Sequence, residues 1–541
     1  MDQRSQSEVV GGSTEGTLSV RDAVYKLLRE FGMTTVFGNP GSTELPLFMN
    51  FPEDFRYVLG LQECVVVGMA DGYAQTTHNA AFVNLHSAAG VGHAMGNIFT
   101  AYRNQTPLVI TAGQQARSIL PFDPFLGSTQ AAELPRPYVK WSVEPARAED
   151  VPLAIARAYY IAMMPPRGPV LVSIPSDDWE AQTSPVDARI VSRNLRADPD
   201  LIAQVARTLD GAKAPAFVVG AAVDRDRAWS EVVRLAELHN ARVYVAPMSG
   251  RCSFPEDHRL WNGFLPPMRE RIVDRLAAHD VVFAIGAPAF TYHVEGRGPH
   301  LPSGTELVQL TDDVQVAARA PLGTSVISSI RLGLQDLLEV SAPPAREAPP
   351  SYQRPPRVPE PHPDSRLPVS WVLQTLNDLR TRDSIVVEEA PSARPVMHGH
   401  LPIFESETFY TMCSGGLGYG LPAAVGVAMG KPGTKVIALI GDGSAMYAIQ
   451  AIWSAAQLGL PVAVVILKNR RYGALHEFAQ IFGYRPDEPV PGTDLPDLDF
   501  VKLAAAQGVQ GLHAETAEQF RQALSQALEA DRPMLVEVEI A

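Results

Sequence analysis

Short apolar runs alternate with amphipathic stretches along most of the chain. In the first forty positions, apolar residues recur at helical spacing over residues 20–31, and a buried strand follows over residues 35–37. Strand, Gly/Pro loop and helix recur around residues 58–60 and 81–85. This alternation predicts an α/β fold with parallel sheets, whose ligands bind beyond the carboxyl ends of the strands.

Two segments without the alternating pattern, residues 181–195 and 341–365, divide the chain into three doubly wound α/β domains. We expect a disordered leader over residues 1–17, a first domain over 18–180, a central domain over 196–340 and a third domain over 366–541. Prolines accumulate over residues 341–365, which predicts a stiff linker. The central domain has neither a phosphate motif nor a charged cluster, so we interpret it as a structural spacer.

Composition excludes several classes of function. The chain has 541 residues and a formal net charge of −14, which gives a nucleic-acid partner no electrostatic support. Cys64, Cys252 and Cys413 form no CxxC pair, which favours a reducing compartment and argues against a zinc site. No signal peptide or long apolar run is evident. We therefore expect a soluble cytoplasmic protein.

The segment over residues 435–473 carries the strongest chemical pattern. Apolar runs over residues 436–440 and 462–467 flank one helical run, so the two strands should be parallel neighbours. Their carboxyl ends would bring Asp442 and Asn469 together. A carboxylate, an amide oxygen and a backbone carbonyl near Arg471 are ligands that Mg²⁺ accepts while it holds a diphosphate.

The turn between the first strand and the helix suits a phosphate group. Gly441 and Gly443 allow close backbone approach, and the helix after Ser444 would direct its free N–H groups at the ligand. An ordinary phosphate-binding turn is the alternative interpretation of these residues alone.

Three polar residues follow strands of the first domain, and each has an ordinary structural explanation. Glu63 opens an otherwise apolar helix, where the helix dipole would stabilise a carboxylate. His86 ends a strand just before Ser87, the expected N-cap, and could be a structural histidine. Ser42 lies in a turn, where serine is common.

Whole segments of the chain resemble one family. The Gly-Asp-Gly of residues 441–443 followed by Lys468-Asn469 resembles the thiamin-diphosphate (ThDP) motif, which usually ends in Asn-Asn. GNPGSTELP, LQECVVVGMADGYA and NLHSAAGVGHAMG resemble the pyrimidine-binding domain of ThDP-dependent 2-oxo acid decarboxylases, and most closely that of the benzoylformate decarboxylases. AIGAPAFTYH, which ends at His293, matches the same group. Lys468 departs from the motif and has no explanation in the sequence.

The resemblance implies roles for the candidate catalytic residues. Glu63 would contact N1′ of the aminopyrimidine ring, and Ser42 would bind the substrate carboxylate. His86 and His293 would transfer protons. On the sequence alone, an exposed loop histidine is the favoured interpretation of His293, and only the resemblance reverses that order.

The resemblance also assigns a cofactor site and a substrate pocket. Leu417, otherwise a core residue, would hold ThDP in a bent shape, and the Gly415 carbonyl would accept a bond from its 4′-amino group. The implied cofactor residues are Asn39, Glu63, Gly415, Leu417, Gly441, Asp442, Gly443, Ser444, Asn469 and Tyr472, with Asp442, Asn469 and Arg471 on Mg²⁺. The implied pocket residues are Ser42, Phe125, Leu126, Thr411, Ala474 and Phe478, and Thr411 stands where the family has Phe.

The resemblance implies non-oxidative decarboxylation of an aromatic 2-oxo acid, benzoylformate, to benzaldehyde and CO₂, as in the mandelate pathway. It also implies a homotetramer, a dimer of dimers with active sites at subunit interfaces. Another 2-oxo acid decarboxylase or a carboligase similar to acetolactate synthase is an alternative. A non-catalytic protein of the same fold is a second alternative.

Overall fold

Three parallel six-stranded sheets organise the protein. The computed structural model describes residues 17–486 and 488–541, so residues 1–16 of the predicted leader lie outside the described residues. Helices pack against each sheet, and the predicted α/β class with three domains is confirmed. No helix in the described ranges is long and apolar enough to span a bilayer.

The first domain has the strand order β3-β2-β4-β5-β7-β6. Ser19 accepts a hydrogen bond from the backbone N–H of Asp22 and caps the first helix. The strands are β1 (Leu18–Ser19), β2 (Thr35–Gly38), β3 (Arg56–Leu59), β4 (Ala81–Leu85), β5 (Leu108–Gln114), β6 (Ser142–Val143), β7 (Val170–Pro175) and β8 (Gln182–Thr183). The α-helices are α1 (Val20–Glu30), α2 (Leu45–Phe48), α3 (Glu63–Thr77), α4 (Ser87–Asn104) and α5 (Val151–Met163).

The central domain has the strand order β11-β10-β9-β12-β13-β14. Its strands are β9 (Pro215–Val219), β10 (Arg242–Val245), β11 (Trp261–Phe264), β12 (Val281–Ile285), β13 (Glu306–Thr311) and β14 (Thr324–Ile327). Its helices are α6 (Pro199–Gly211), α7 (Ala221–Arg225), α8 (Trp229–His239), α9 (Arg269–Leu276), α10 (Val314–Ala318) and α11 (Ile330–Val340). The proline-rich segment that follows docks on this domain, since Arg346 donates to the carbonyls of Leu209, Asp210 and Ala212.

The third domain has the strand order β16-β15-β17-β18-β20-β19. Its strands are β15 (Ile385–Glu389), β16 (Phe409–Thr411), β17 (Val436–Gly441), β18 (Val462–Lys468), β19 (Gln510–Ala514) and β20 (Met534–Glu539). Its helices are α12 (Val369–Leu379), α13 (Arg394–His400), α14 (Gly420–Gly430), α15 (Asp442–Ala445), α16 (Ala451–Leu458), α17 (Gly473–Ile481), α18 (Phe500–Ala506) and α19 (Ala517–Glu529).

The connection between β17 and β18 corrects one expectation. We expected a single helix that begins after Ser444, but a short helix, α15, begins at Asp442 itself. A turn separates it from α16, which begins only at Ala451. The first helical turn therefore starts at the carboxylate, so the backbone N–H groups of Gly443 and Ser444 lie beside Asp442.

Helices α3 and α14 join the first and third domains at very short range. A Cβ placed on Gly72 would lie 2.2 Å from the Ala423 carbonyl oxygen, and one on Gly426 would lie 1.9 Å from the Met69 carbonyl oxygen. The side chains around this contact belong to one hydrophobic core that includes both sheets. Only glycine permits the two backbones to approach this closely.

Gly426→Ala is therefore expected to destabilise the protein by about 1–3 kcal/mol, because the new methyl group must push backbone apart. The thermal unfolding midpoint measures the change. Gly211→Ala is the matched control, since a Cβ at that helical glycine meets nothing within 4 Å. Equal midpoints for the two variants would contradict the close contact.

Candidate functional site

The strand pairing predicted for the Gly-Asp-Gly segment is present. β17 and β18 are parallel neighbours, with Gly441 opposite Leu467, so Asp442 and Asn469 leave the sheet at the same edge. Asp442 is buried, and its Oδ2 accepts a 2.6 Å hydrogen bond from the Arg470 N–H. The turn after β18 is thereby tied to the turn after β17.

A cavity of about 330 Å³ lies at this sheet edge. Residues from five segments line it: Arg366, Val369, Ala390, Ser392, Ala393, Gly441, Leu467, Asn469, Arg471, Gly473, His476, Glu477, Ile540 and Ala541. Side chains at two glycines would obstruct this region, because a Cβ on Gly473 would lie 2.9 Å from Asn469 Nδ2 and one on Gly443 2.4 Å from the Tyr472 ring.

The donor set at this cavity fits a hard cation and a diphosphate. Burial raises the pKa of Asp442, and backbone N–H groups oppose that rise. A cation would stabilise its charged form, and each carboxylate oxygen has a second lone pair for it. Asn469 Oδ1 accepts only from the Arg471 N–H at 3.1 Å among the described contacts. Two arginines, Arg366 and Arg471, line the cavity and suit an anionic ligand.

Lys468 now has a physical explanation. Its side chain is buried, and Nζ lies 2.9 Å from Glu537 Oε1 and 3.3 Å from Glu539 Oε1, both on the neighbouring strand β20. Arg470 also pairs with Glu539. Lys468 therefore compensates two buried carboxylates, and its ammonium group is committed to them.

The first domain contributes a separate group of polar residues. Glu63 begins α3 and is largely buried, with Asn39 Nδ2 3.3 Å from Oε1 and His93 Nδ1 3.1 Å from Oε2. Both hydrogen-bond partners of this carboxylate belong to the first domain. The structure thus brings the predicted residues Asn39 and Glu63 together.

His86 is oriented by a carboxylate that our sequence analysis missed. Its Nδ1 lies 2.8 Å from Oε2 of Glu44, which is fully buried, and 3.1 Å from Oγ1 of Thr43. Because Nδ1 is held, Nε2 points away from Glu44. Ser42 lies in the adjoining 3₁₀ turn and is exposed. Ser87 is not the N-cap we expected: it is the first helical residue, with φ of 47°, and His86 occupies the cap position.

His293, from the central domain, contacts the third domain and not the first-domain residues described above. Its ring stacks on Phe478 of α17, with the ring centroids 4.4 Å apart. The central and third domains therefore meet at two of the predicted residues, with Ala474 one turn earlier on the same helix. Phe125, predicted in the pocket, is 88% exposed, and the adjacent Leu126 has φ of 70°.

The remaining predicted residues surround the start of α14. Leu417 is partly buried against the core that joins the first and third domains, and Gly415 is exposed. Thr411 lies in a buried ion-pair cluster, where its Oγ1 donates to Glu388 at 2.8 Å and accepts from Arg394 at 2.7 Å. Its predicted role in the pocket stays a prediction.

Family models match most of the chain. The "Thiamine pyrophosphate enzyme, N-terminal TPP binding domain" model matches residues 18–132, the central-domain model matches 202–337 and the C-terminal TPP binding domain model matches 392–538. The chain belongs to the thiamine pyrophosphate enzyme family. The resemblance to this family stated from the sequence is confirmed, and with it the ThDP cofactor of the family.

Members of this family include close relatives of the chain. It is 46% identical to benzoylformate decarboxylase of Pseudomonas aeruginosa, over 96% of this chain and 98% of the relative. The 4-hydroxybenzoylformate decarboxylase of Rhodococcus jostii RHA1 is 42% identical, with a TM-score of 0.93, over 97% of this chain and 99% of that chain. Benzoylformate decarboxylase from Polynucleobacter necessarius is 40% identical, with a TM-score of 0.94, over 97% and 98%.

We expect Lys468→Met to destabilise this thiamine pyrophosphate enzyme by roughly 3 kcal/mol at neutral pH, because it leaves buried carboxylates uncompensated. Burial alone would raise the pKa of Glu539, but hydrogen bonds from Arg470 and Lys468 outweigh burial and lower it. A lowered carboxylate pKa stabilises the fold above the unfolded pKa, and that stabilisation is lost as pH falls through the folded pKa.

The difference between wild type and Lys468→Met should therefore shrink on acidification below about pH 4.3. Denaturant midpoints measured across this range test it. Lys502→Met is the control, because Lys502 is 85% exposed in its pair with Asp499 and surface pairs contribute little. Similar losses in both variants would refute the compensating role of Lys468.

Proposed function

We propose that this protein is a ThDP- and Mg²⁺-dependent decarboxylase of aromatic 2-oxo acids, with benzoylformate as substrate and benzaldehyde and CO₂ as products. One observation carries the proposal. In a family that binds ThDP, a buried Glu44 orients His86 at the same sheet edge as Glu63. The names of the relatives, which are decarboxylases of benzoylformate and 4-hydroxybenzoylformate, support the substrate class.

The cavity residues of the third domain would hold the charged end of the cofactor. Asp442, Asn469 and the backbone carbonyl of Arg471 would bind Mg²⁺. Backbone N–H groups at Gly443 and Ser444, at the start of α15, would donate to the diphosphate. Ser392, which lines the cavity, is a further candidate donor.

Glu63, Leu417 and Gly415 would hold the ring end of the cofactor. Bound ThDP supplies an electron sink for the carbanion that forms as CO₂ leaves. Glu63 would share a proton with the ring nitrogen N1′, and the apolar side chain of Leu417 would support the bent shape. Tyr472 and Asn39 would line the same site.

His86 and His293 would transfer the protons. Because Glu44 holds Nδ1 of His86, Nε2 is the nitrogen that can exchange a proton with the substrate. His293, stacked on Phe478, would transfer protons from the central domain. The exposed hydroxyl of Ser42 would donate to the substrate carboxylate.

Aromatic and apolar side chains favour an aryl substrate. Phe478 and Ala474 lie on the helix that faces His293, and the family likeness adds Thr411 to this pocket. Phe125 and Leu126 would cover the ring from the first domain.

The candidate site residues fall into two groups, one in the first domain and one in the third domain. This division supports a site assembled from more than one subunit. Within one chain, the hydrogen-bond partners of Glu63 and His86 are first-domain residues, whereas Asp442 and Asn469 bond within the third domain. We propose a dimer in which each site combines the two groups from different subunits, and a tetramer of two dimers. The proposal includes a cytoplasmic location and a place in the mandelate pathway.

Purified protein with added ThDP and Mg²⁺ is expected to release CO₂ and benzaldehyde from benzoylformate, and to lose this activity after removal of metal by a chelator. A panel of aromatic and branched aliphatic 2-oxo acids, assayed with and without ThDP, tests the reaction and substrate class. An acyloin as main product would favour the carboligase alternative. No CO₂ from any acid would favour the non-catalytic protein.

Glu63→Gln should lose most decarboxylase activity but retain ThDP, because the diphosphate is held by residues of the third domain. An effect of about 10²–10⁴ on turnover is the scale for loss of an acid-base group. Turnover and a ThDP binding titration are measured on the same preparation. Glu133→Gln serves as a control, since Glu133 is an exposed surface residue of the same domain. Wild-type turnover in Glu63→Gln would reject its role.

A further inference from the structure

Glu389 is a buried carboxylate to which neither the sequence nor the proposed mechanism assigns a role. It is the last residue of β15 and is 1% exposed. Oε1 accepts a 2.7 Å hydrogen bond from the Gly418 N–H, and Oε2 accepts from Tyr419 N–H at 2.7 Å and from Gly420 N–H. One side chain thus binds three consecutive backbone amides.

These amides immediately follow Leu417. The Leu417 loop, which we define as residues 414–420, leads into α14, whose first-turn N–H groups have no partner within the helix. At its other end the loop is tied to the first domain, since Ser414 Oγ lies 2.8 Å from Thr100 Oγ1. Leu417 lies between these two attachments. Asn97 also donates to the Gly418 carbonyl at 3.0 Å, so a change at Glu389 weakens three of the hydrogen bonds that hold the loop and leaves that one in place.

Glu389 also lies directly beside the diphosphate cavity. It pairs with Ile440 across β15 and β17, one residue before Gly441, and the next residue, Ala390, lines the cavity with Gly441. The backbone of Glu389 is therefore part of the sheet edge that carries Asp442, while its side chain holds the Leu417 loop.

The loop can approach the Glu389 carboxylate this closely only because residue 420 has no side chain. A Cβ on Gly420 would lie 2.7 Å from Glu389 Cβ, so glycine is required for this distance. Burial raises the pKa of Glu389 to about 7, and the three N–H groups oppose that rise by bonding to the charged form. The neighbouring Glu388 points to the other face of β15, where it binds Arg394.

We propose that Glu389 is a positioning residue that sets the position of Leu417 relative to the Gly-Asp-Gly turn. The position of Leu417 would in turn set the bent shape of a cofactor bound between Leu417 and that turn. This inference rests on the proposed function, since it takes Leu417 as the residue beneath the cofactor. A purely structural helix cap would stabilise α14 but would not alter the reactivity of the bound cofactor.

Glu389→Gln replaces one acceptor oxygen by an NH₂ group that faces backbone N–H donors. In the protein without cofactor, we expect amide hydrogen exchange at residues 418–420 to accelerate by about 10- to 100-fold, the factor for loss of a charge-assisted hydrogen bond. Glu388→Gln is the matched control, because it removes the adjacent buried carboxylate from the opposite face; it should leave exchange at these three amides unchanged.

With ThDP and Mg²⁺ bound and no substrate, proton exchange at the thiazolium C2 reports the cofactor geometry directly. We expect this rate to fall at least about tenfold in Glu389→Gln, on the scale of misaligned proton transfer, with a smaller change in ThDP affinity. We also expect kcat for benzoylformate to fall while KM stays close to that of the wild type. Wild-type C2 exchange despite a loosened loop would overturn the inference, and so would unchanged amide exchange.

Gly420→Ala is the second variant, and it replaces Glu389→Gln if that protein fails to fold. It keeps the carboxylate but displaces the loop from it, so the same loss of amide protection and slower C2 exchange are expected. If the wild type binds ThDP but releases no CO₂ from any 2-oxo acid, the proposed function fails. The amide and C2 measurements still decide the role of Glu389 in that case.

Discussion

The approach of α3 to α14 is the contact on which the arrangement of the molecule depends. At Gly72 and Gly426, backbone of the first domain touches backbone of the third domain with no side chain between them. Glu63 is the first residue of α3, and Leu417 lies just before α14. Asn97 reinforces the contact by donating to the carbonyls of both Cys64 and Gly418. Within one chain this joint fixes the positions of Glu63 and Leu417, which the proposed dimer uses in two different sites.

Buried carboxylates recur in the first and third domains, and each has a different set of hydrogen-bond partners. Glu44 is bound by a hydroxyl, an imidazole and a backbone amide, Glu389 by three backbone amides, and Glu537 by a lysine and a histidine. Burial of a carboxylate is unfavourable unless such partners are present. The partners therefore make the burial of these carboxylates possible and connect the segments that carry them.

Local patterns predicted much of the fold and part of the site. Strands β4 and β17, and the adjacency of Asp442 and Asn469, follow from apolar runs and the rule that a strand-helix-strand unit is parallel. The break between α15 and α16 was missed, since residues 446–450 carry no proline that would predict a helix end.

Glu44, Glu389 and the partners of Lys468 could not be found in the same way. Their roles depend on groups that are distant in sequence: Glu389 binds amides about thirty residues later, and Lys468 binds Glu537, whose strand lies beyond three helices and strand β19. Glu44 lies within the quoted GNPGSTELP segment and was the one carboxylate there. Its position as the single charged residue of that segment was a usable signal for it.

The end of β20 has a practical consequence. Ile540 N–H donates to the Lys468 carbonyl, Ala541 N–H donates to the Leu367 carbonyl, and both residues form part of the cavity wall. Any peptide that continues past Ala541, whether natural or an affinity tag, therefore starts at the rim of the space where the diphosphate is proposed to sit. Purification handles are better attached at the opposite terminus, and a protein tagged at its carboxyl end could bind cofactor weakly for reasons unrelated to its own residues.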